Sequence, residues 1–249
     1  MMRHRLRSAM LGAIAAVLLA GCAEPRVLRS AGPRLDLLGP RPEFALQLGD
    51  NPAAAGWALA GEAGPGTLGV VDREGVPALR VRAGNGNLAM ARRTDVPIGI
   101  MPFLSWSWLA EVGEPPARHP VRLAVGFKGG RTKAKKGFGP FGGGAGDLPE
   151  HDRVLVLTWE PSALTRGSLF PPPPTAPNLP SRYAVRGGSE NTGTWWLETV
   201  DLGDLYRRSW PNDHVSRVHI AFIGIVSARQ ARNASPGRSL YVSGLRLSR

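Results

Sequence analysis

Two adjacent tryptophans are the residues of this chain best suited to bind a ligand. Trp195 and Trp196 are neighbours in the sequence, and neighbouring residues of a strand point to opposite faces of its sheet, so one ring is expected outward or in a groove. An exposed indole beside Arg or Glu can stack on a sugar ring or a cation, although packing in a protein interface would give the same pattern. The candidate binding residues are Trp159, Tyr183, Trp195, Trp196 and Glu198.

No catalytic motif supports an enzyme. The chain contains neither a Gly-x-Ser-x-Gly elbow nor a glycine-rich phosphate loop. Hydrolysis of a glycan would require two carboxylates that face each other across a cleft. Candidates for such a pair are Asp95, Glu111, Glu160, Glu198 and Asp201. Because the sequence brings no two of them together, we assign no catalytic residue and keep an envelope glycan hydrolase or lyase as an alternative.

Metal binding has no better support. Metal sites need converging His, Cys, Asp or Glu ligands, and the histidines after the N-terminal segment form no recognised pair: His119, His151, His214 and His219. His151 has acidic neighbours on both sides, which fits a solvated turn better than a metal ligand. We therefore predict neither a metal site nor a cofactor.

The only cysteine, Cys22, follows a typical export signal. Arg3, Arg5 and Arg7 form a positive start, and residues 11–20 form an apolar run too short for a permanent membrane helix. The alternatives are an ordinary secretory signal with an incidental cysteine, and a buried free thiol.

The tetrapeptide Leu19-Ala20-Gly21-Cys22 resembles the bacterial lipobox. The resemblance implies that residues 1–21 are a lipoprotein signal peptide, that cleavage precedes Cys22, and that lipid on this residue forms a stable anchor. Ala23 stands where the inner-membrane retention signal of enteric bacteria has Asp, so the same rule points to the outer membrane and a domain facing the periplasm.

The chain is basic, with a formal charge of +12, to which the three arginines of the signal peptide contribute. Positive charge can indicate binding to nucleic acid, lipid phosphates or an anionic glycan. The arginines are dispersed, however, and the one local cluster of positive residues lies in a glycine-rich segment typical of an exposed loop: Arg131, Lys133, Lys135 and Lys136. We expect the membrane, through the lipid anchor, and a glycan or an envelope protein as partners, and no nucleic acid.

Short strands must position these residues. Apolar and polar residues alternate with period two in segments separated by Gly, Pro, Asn and Asp, which is typical of half-buried strands. The predicted strands are 44–48, 67–71, 78–83, 88–92, 103–109, 121–127, 154–159, 183–186, 195–200, 218–226 and 240–247. Strand 103–109 is expected to be central, with Trp106 and Trp108 on one face. One short helix is predicted over 201–210, with Asp201 as its cap.

This succession predicts an all-β fold, an antiparallel β-sandwich or jelly roll with one short helix. Residues 22–42 are predicted to form a proline-containing tether, and residues 43–249 the β-sandwich domain. Two segments are predicted to be inserted loops, a glycine-rich one over 129–150 and a proline-rich one over 171–180. Since lipid would consume the only cysteine, the domain must be stabilised by packing and not by disulfides.

Several segments follow one another in a recognisable order. They are Leu104-Ser105-Trp106-Ser107-Trp108, the strand 121–127, and the run 154–167 that contains Trp159. This order resembles a family of exported bacterial proteins, the domain-of-unknown-function family numbered 3047, over roughly residues 78–249. The resemblance implies a β-sandwich similar to carbohydrate-binding jelly rolls, without an established reaction. Family members have acidic residues where segment 227–233 carries arginines and alanines, so a carboxylate site there would be lost or remodelled.

These observations together predict an outer-membrane lipoprotein that carries a β-sandwich binding module for carbohydrate or cell-envelope glycan. One alternative is the glycan hydrolase or lyase, which requires converging titratable residues in a cleft. The other is a structural partner of an envelope protein complex, which would present a large exposed apolar patch.

Overall fold

The computed structural model describes residues 27–28, 32–39, 52–53, 55–61, 64, 66–84, 86–111, 118–130, 148–176, 179–228 and 238–249. Cys22, the predicted strand 44–48 and most of the glycine-rich segment lie outside these residues. The strands are β1 (Arg34–Asp36), β2 (Trp57–Gly61), β3 (Leu68–Arg73), β4 (Val76–Arg82), β5 (Leu88–Pro97), β6 (Phe103–Ala110), β7 (Val121–Lys128), β8 (Arg153–Glu160), β9 (Leu169–Phe170), β10 (Ser181–Gly187), β11 (Trp196–Asp201), β12 (His219–Ser227) and β13 (Ser239–Ser248). The α-helix α1 spans Leu202–Ser209, and three short 3-10 helices span Ala163–Thr165, Ser189–Asn191 and Val215–Arg217.

The strands form two sheets that pack face to face. The first has the order β11-β6-β13-β4-β3, with β1 also pairing with β13, and the second has the order β2-β5-β12-β7-β8-β10-β9. This arrangement confirms the predicted all-β sandwich. One strand pair departs from the antiparallel prediction, because β8 and β10 run parallel. The connection between them, through β9 and the proline-rich segment, is long enough for the crossover that a parallel pair requires.

Strand β6 shows how the sequence pattern builds the core. Leu104, Trp106 and Trp108 alternate with serines and are fully buried between the sheets, because successive residues of a strand face opposite sides. β6 pairs with β11 on one side and β13 on the other. The prediction of an interior strand with both tryptophans on the core face is confirmed.

Helix α1 begins and ends as its sequence predicts. The Asp201 carboxylate accepts a hydrogen bond of 2.9 Å from the Asp204 N–H, as an N-cap does. Leu202, Leu205 and Tyr206 are buried against the main core. The Tyr206 hydroxyl also donates to Asp213 at 2.8 Å. Among the described residues, no helix is both long and apolar enough to cross a membrane.

The sandwich begins earlier in the chain than the predicted tether allows. Arg34–Asp36 pair with the end of β13, and Leu35, Leu37 and Leu38 belong to the main core. Three residues between prolines are too few to show a periodic pattern, so the strand could not be recognised from sequence. Part of segment 22–42 is therefore strand and core. Strands β2 and β9, which the sequence pattern also failed to indicate, each lie next to longer predicted strands.

Candidate functional site

Two of the predicted binding residues, Trp196 and Glu198, lie together where β11 of the first sheet lies over β10 of the second, and a third, Trp159, is buried in the main core. Trp196 and Glu198 come from β11, and Trp159 comes from β8 beneath them. They are joined by Arg186 of β10 and by Arg166, which follows the 3-10 helix Ala163–Thr165. We call Arg166, Arg186, Trp196 and Glu198 the margin cluster.

Strand register places the two β11 residues on the inner face of the sandwich. Trp196 lies opposite Trp108, and Glu198 lies opposite Trp106. Since both β6 tryptophans are core residues, Trp196 and Glu198 face the second sheet as well. Leu197, between them, points outward and is exposed.

A bulge in β10 turns Arg186 toward this cluster. Ala184 pairs with Thr158, but Arg186, two residues later, pairs with the next residue, Trp159. The extra residue is Val185, and both Val185 and Trp159 belong to the main core. Since a bulge reverses the alternation of side chains that follow it, Arg186 faces inward, beside Trp159.

Glu198 and Arg186 form a buried ion pair. The Glu198 carboxylate is 4% exposed, and the Arg186 Nε–H donates to its Oε1 atom. The Trp108 indole N–H donates to the same oxygen at 3.3 Å. Burying a charge is costly unless it is paired and hydrogen-bonded, so each of these partners helps to hold the carboxylate in place.

The ring of Trp196 is fixed at one face and one edge. The Arg186 guanidinium lies 3.7 Å from the ring centroid, within the range of a cation–π contact. The indole N–H donates to the carbonyl oxygen of Asn191 at 2.8 Å. The residue as a whole is half-buried and not fully covered.

Arg166 forms the solvent side of the cluster. Its guanidinium lies 3.5 Å from the second Glu198 oxygen and its side chain is 59% exposed. The Ser162 side chain caps the preceding 3-10 helix, and the Gly167 N–H donates to the Ala184 carbonyl at 2.8 Å. These contacts tie the segment that carries Arg166 to the edge of β10.

The other two predicted binding residues do not join the margin cluster. Trp195 lies on the opposite face of the first sheet, packed against the cluster of Ala78, Leu109 and Tyr241, and its indole N–H donates to the Arg73 carbonyl at 3.3 Å. Tyr183 lies on β10, half-buried against the main core. The expectation that one of the adjacent tryptophans would point away from the core is met by Trp195.

The carboxylates considered for catalysis have different partners. Asp95 contacts Lys128, Glu111 contacts Tyr241, Glu160 contacts Arg118, Glu198 contacts Arg186, and Asp201 caps α1. The hydrogen bond from Lys128 lowers the pKa of Asp95. Burial alone would raise the pKa of Glu111 and Glu160, but the hydrogen bonds they accept lower it. A general acid in glycan hydrolysis needs a raised pKa, so these three carboxylates are unsuited to that role.

Sequence reasoning missed Arg166 and Arg186. Arg186 reaches the cluster only because of the bulge, which the sequence does not reveal. Arg166 is separated from Glu198 by more than thirty residues and follows a 3-10 helix of three residues. No periodic pattern links either residue to β11.

The sequence matches no protein-family model and no curated protein. Among solved structures, the chain is similar to a family 11 carbohydrate-binding module from Clostridium thermocellum, with 12% identity, a TM-score of 0.39, and coverage of 77% of this chain and 88% of that one. A family 30 carbohydrate-binding module of a Clostridium thermocellum cellulase has 12% identity and a TM-score of 0.38, with 76% and 85% of the two chains covered.

Proposed function

We propose that this protein is a lipid-anchored protein of the bacterial cell envelope whose β-sandwich binds a glycan at the margin cluster. Trp196 would supply the surface on which a sugar ring stacks, Arg166 would donate to its hydroxyl groups, and the buried Glu198 would hold both arginines in position. In this proposal the domain is a binding module.

The observation that carries the proposal is the half-buried Trp196 beside a fixed arginine and carboxylate. A sugar has apolar C–H faces and a rim of hydroxyl groups, and ligand sites combine apolar or aromatic surface with a few placed polar groups. The Arg186–Glu198 pair supports this reading in a second way. A buried ion pair contributes little stability compared with an apolar pair of similar volume. The presence of charged residues in the margin cluster is therefore better explained by binding of a polar ligand than by a contribution to stability.

The anchor and location in this proposal rest on the N-terminal sequence. Cys22 would carry the lipid and hold the domain at the outer membrane, facing the periplasm. Metabolic labelling with a radioactive fatty acid tests this part. We expect label in the wild-type protein and none in Cys22→Ser; label in both proteins would contradict the anchor.

A glycan array and peptidoglycan pull-down test the binding site, with adjacent tryptophans as a matched pair. Trp196→Ala removes the proposed stacking surface, and Trp195→Ala removes a half-buried indole from the opposite face of the same sheet. We expect Trp196→Ala to weaken binding by about tenfold, the cost of losing a central aromatic contact, and Trp195→Ala to change it by less than about twofold.

Arg166→Gln provides a variant that leaves the core untouched, because the Arg166 side chain is largely exposed. It should weaken glycan binding while thermal unfolding stays unchanged. Absence of binding to every glycan, or equal losses in Trp195→Ala and Trp196→Ala with unfolding unchanged, would overturn the proposal.

A further inference from the structure

A second polar cluster lies on the outer face of the seven-stranded sheet. Arg118 donates from Nε to the Glu160 carboxylate at 2.8 Å, and Arg182 of β10 lies 3.2 Å from the same oxygen. The Thr158 hydroxyl also donates to it at 2.7 Å. Glu160 itself is 5% exposed, so the carboxylate forms the floor and the arginines surround it.

Strand register adds a third arginine to this group. Leu123 of β7 pairs with Leu157 of β8, and both face the core. Arg122, one residue earlier, therefore faces outward beside Thr158, on the same side as Arg182. We call Arg118, Arg122 and Arg182 the arginine face.

Among the described residues, the arginine face holds more positive charge than Glu160 can neutralise. Three guanidinium groups surround one carboxylate, and arginine keeps its charge in proteins. Burial and the nearby Arg118 charge lower the pKa of both Arg122 and Arg182, and the Glu160 charge opposes this effect. The positive charges thus repel one another at close range.

Arg122 also retains unused hydrogen-bonding capacity. Its Nε atom is buried and has no hydrogen-bond partner within the described part of the chain. The neighbouring Arg182 is held in place by Phe170, whose ring centroid lies 4.2 Å from the guanidinium carbon. The side chains of Arg118 and Arg182 are 35% and 30% exposed, so an anion can reach them from solvent.

We propose that the arginine face binds a carboxylate of an acidic polysaccharide. This inference rests on the proposed function, because that function makes the partner a glycan. A guanidinium presents a planar fork of N–H donors that matches a carboxylate and can bind it with two parallel hydrogen bonds. A sugar carboxylate placed there would offset the excess positive charge around Glu160. The protein would thus select uronic-acid polymers over neutral ones.

The experiment compares acidic polysaccharides with the same polymers after chemical reduction of their carboxyl groups, using the full chain purified in detergent. We expect the acidic form to bind about tenfold more tightly, and the difference to shrink as salt is raised because the contact is partly exposed. Arg122→Gln should remove most of this preference and leave binding of the reduced polymer unchanged. Arg207→Gln, which removes the same charge from an exposed position on α1, should preserve it.

The outcomes separate the two proposals. The carboxylate site would be overturned by equal affinity for the acidic and reduced polymers, or by equal effects of Arg122→Gln and Arg207→Gln on binding. In either case, binding of the reduced polymer would still support the glycan module. Failure of both polymer forms to bind would overturn the carboxylate site, whereas the glycan module would be overturned only if the glycan array and the peptidoglycan pull-down were negative as well. Displacement of the acidic polymer by millimolar inorganic phosphate, with the reduced polymer still bound, would show a general oxyanion site and overturn the assignment to a sugar carboxylate.

Discussion

Replacing Glu198 by Gln removes the charge that neutralises Arg186 while keeping the size of the side chain. Glu198 and Arg186 are both almost fully buried, so the substitution leaves a buried guanidinium without a counter-charge. Breaking a buried ion pair costs about 3–5 kcal/mol. Glutamine can still accept hydrogen bonds from Arg186 and Trp108, which places the expected loss near the lower end, at about 3 kcal/mol.

Two comparison variants show whether this loss comes from the unpaired charge. Arg166→Gln removes the partly exposed partner of Glu198, and exposed ion pairs contribute at most about 1 kcal/mol. The double variant Arg186→Met with Glu198→Leu replaces the pair by apolar side chains. It leaves the Trp108 N–H without its acceptor, which costs about 1–2 kcal/mol. The double variant should therefore be more stable than Glu198→Gln alone.

Equilibrium unfolding in urea measures these differences, provided that the slope with denaturant stays constant across the variants. A loss below about 1 kcal/mol for Glu198→Gln would refute the argument that the carboxylate compensates a buried charge. A double variant less stable than Glu198→Gln would refute it as well, because removal of the unpaired guanidinium would then restore no stability.

Three further predictions concern other positions. Burial lowers the pKa of His119 to about 4, below its unfolded value of about 6.5, so folding favours the neutral ring; stability should be complete above about pH 6.5 and fall as the pH drops toward 4, by up to about 3 kcal/mol. Urea unfolding measured across this pH range should show that the free energy of unfolding depends less steeply on pH in His119→Gln than in the wild type. An equally steep pH dependence would contradict the assignment to His119. In Gly187→Ala, the new Cβ would lie 2.3 Å from the Ser162 carbonyl oxygen, so the segment before Arg166 must shift. We expect the free energy of unfolding to fall by about 1–3 kcal/mol and glycan binding to weaken. Wild-type values of both quantities would contradict the close approach. Asp201→Ala removes the cap of α1 and should cost about 1 kcal/mol, measured by thermal unfolding, whereas Asp204→Ala, in which the capping N–H remains, serves as the control.

Local pattern was sufficient to predict most of the strands and the helix. The centre of β6, residues 104–108, alternates between serine and large apolar residues, and α1 carries its own cap and buried face, so each element can be read from a short window of sequence. Strand β1 could not be predicted in this way, because its three residues are fixed by pairing with β13 at the far end of the chain. The parallel pairing of β8 and β10 likewise depends on the path of a connection and not on the composition of either strand.

Some residues of the candidate site could likewise be predicted from local sequence, and others could not. The adjacency of Trp195 and Trp196 was enough to predict that one ring would leave the core, and the spacing of Trp196 and Glu198 placed them on one face. The two arginines that complete the margin cluster come from elements distant in sequence, so no spacing rule could associate them with β11. The arginine face was hidden for another reason: its members are three of many dispersed arginines, and only the sheet brings them around Glu160.

The bulge in β10 determines which arginine serves which cluster. Arg182 and Arg186 are four residues apart, so regular alternation would place both side chains on the same face of the sheet. The extra residue between Ala184 and Arg186 breaks this alternation, so Arg182 stays outside with Glu160 and Arg186 turns inward to Glu198. In a regular strand, Glu198 would be buried with no contact to Arg186. The Arg186 guanidinium would instead add a fourth positive charge to the arginine face. One irregular residue in β10 therefore gives Glu198 its buried charged partner while Arg182 stays with Glu160, and so places the two proposed binding surfaces on opposite faces of one strand.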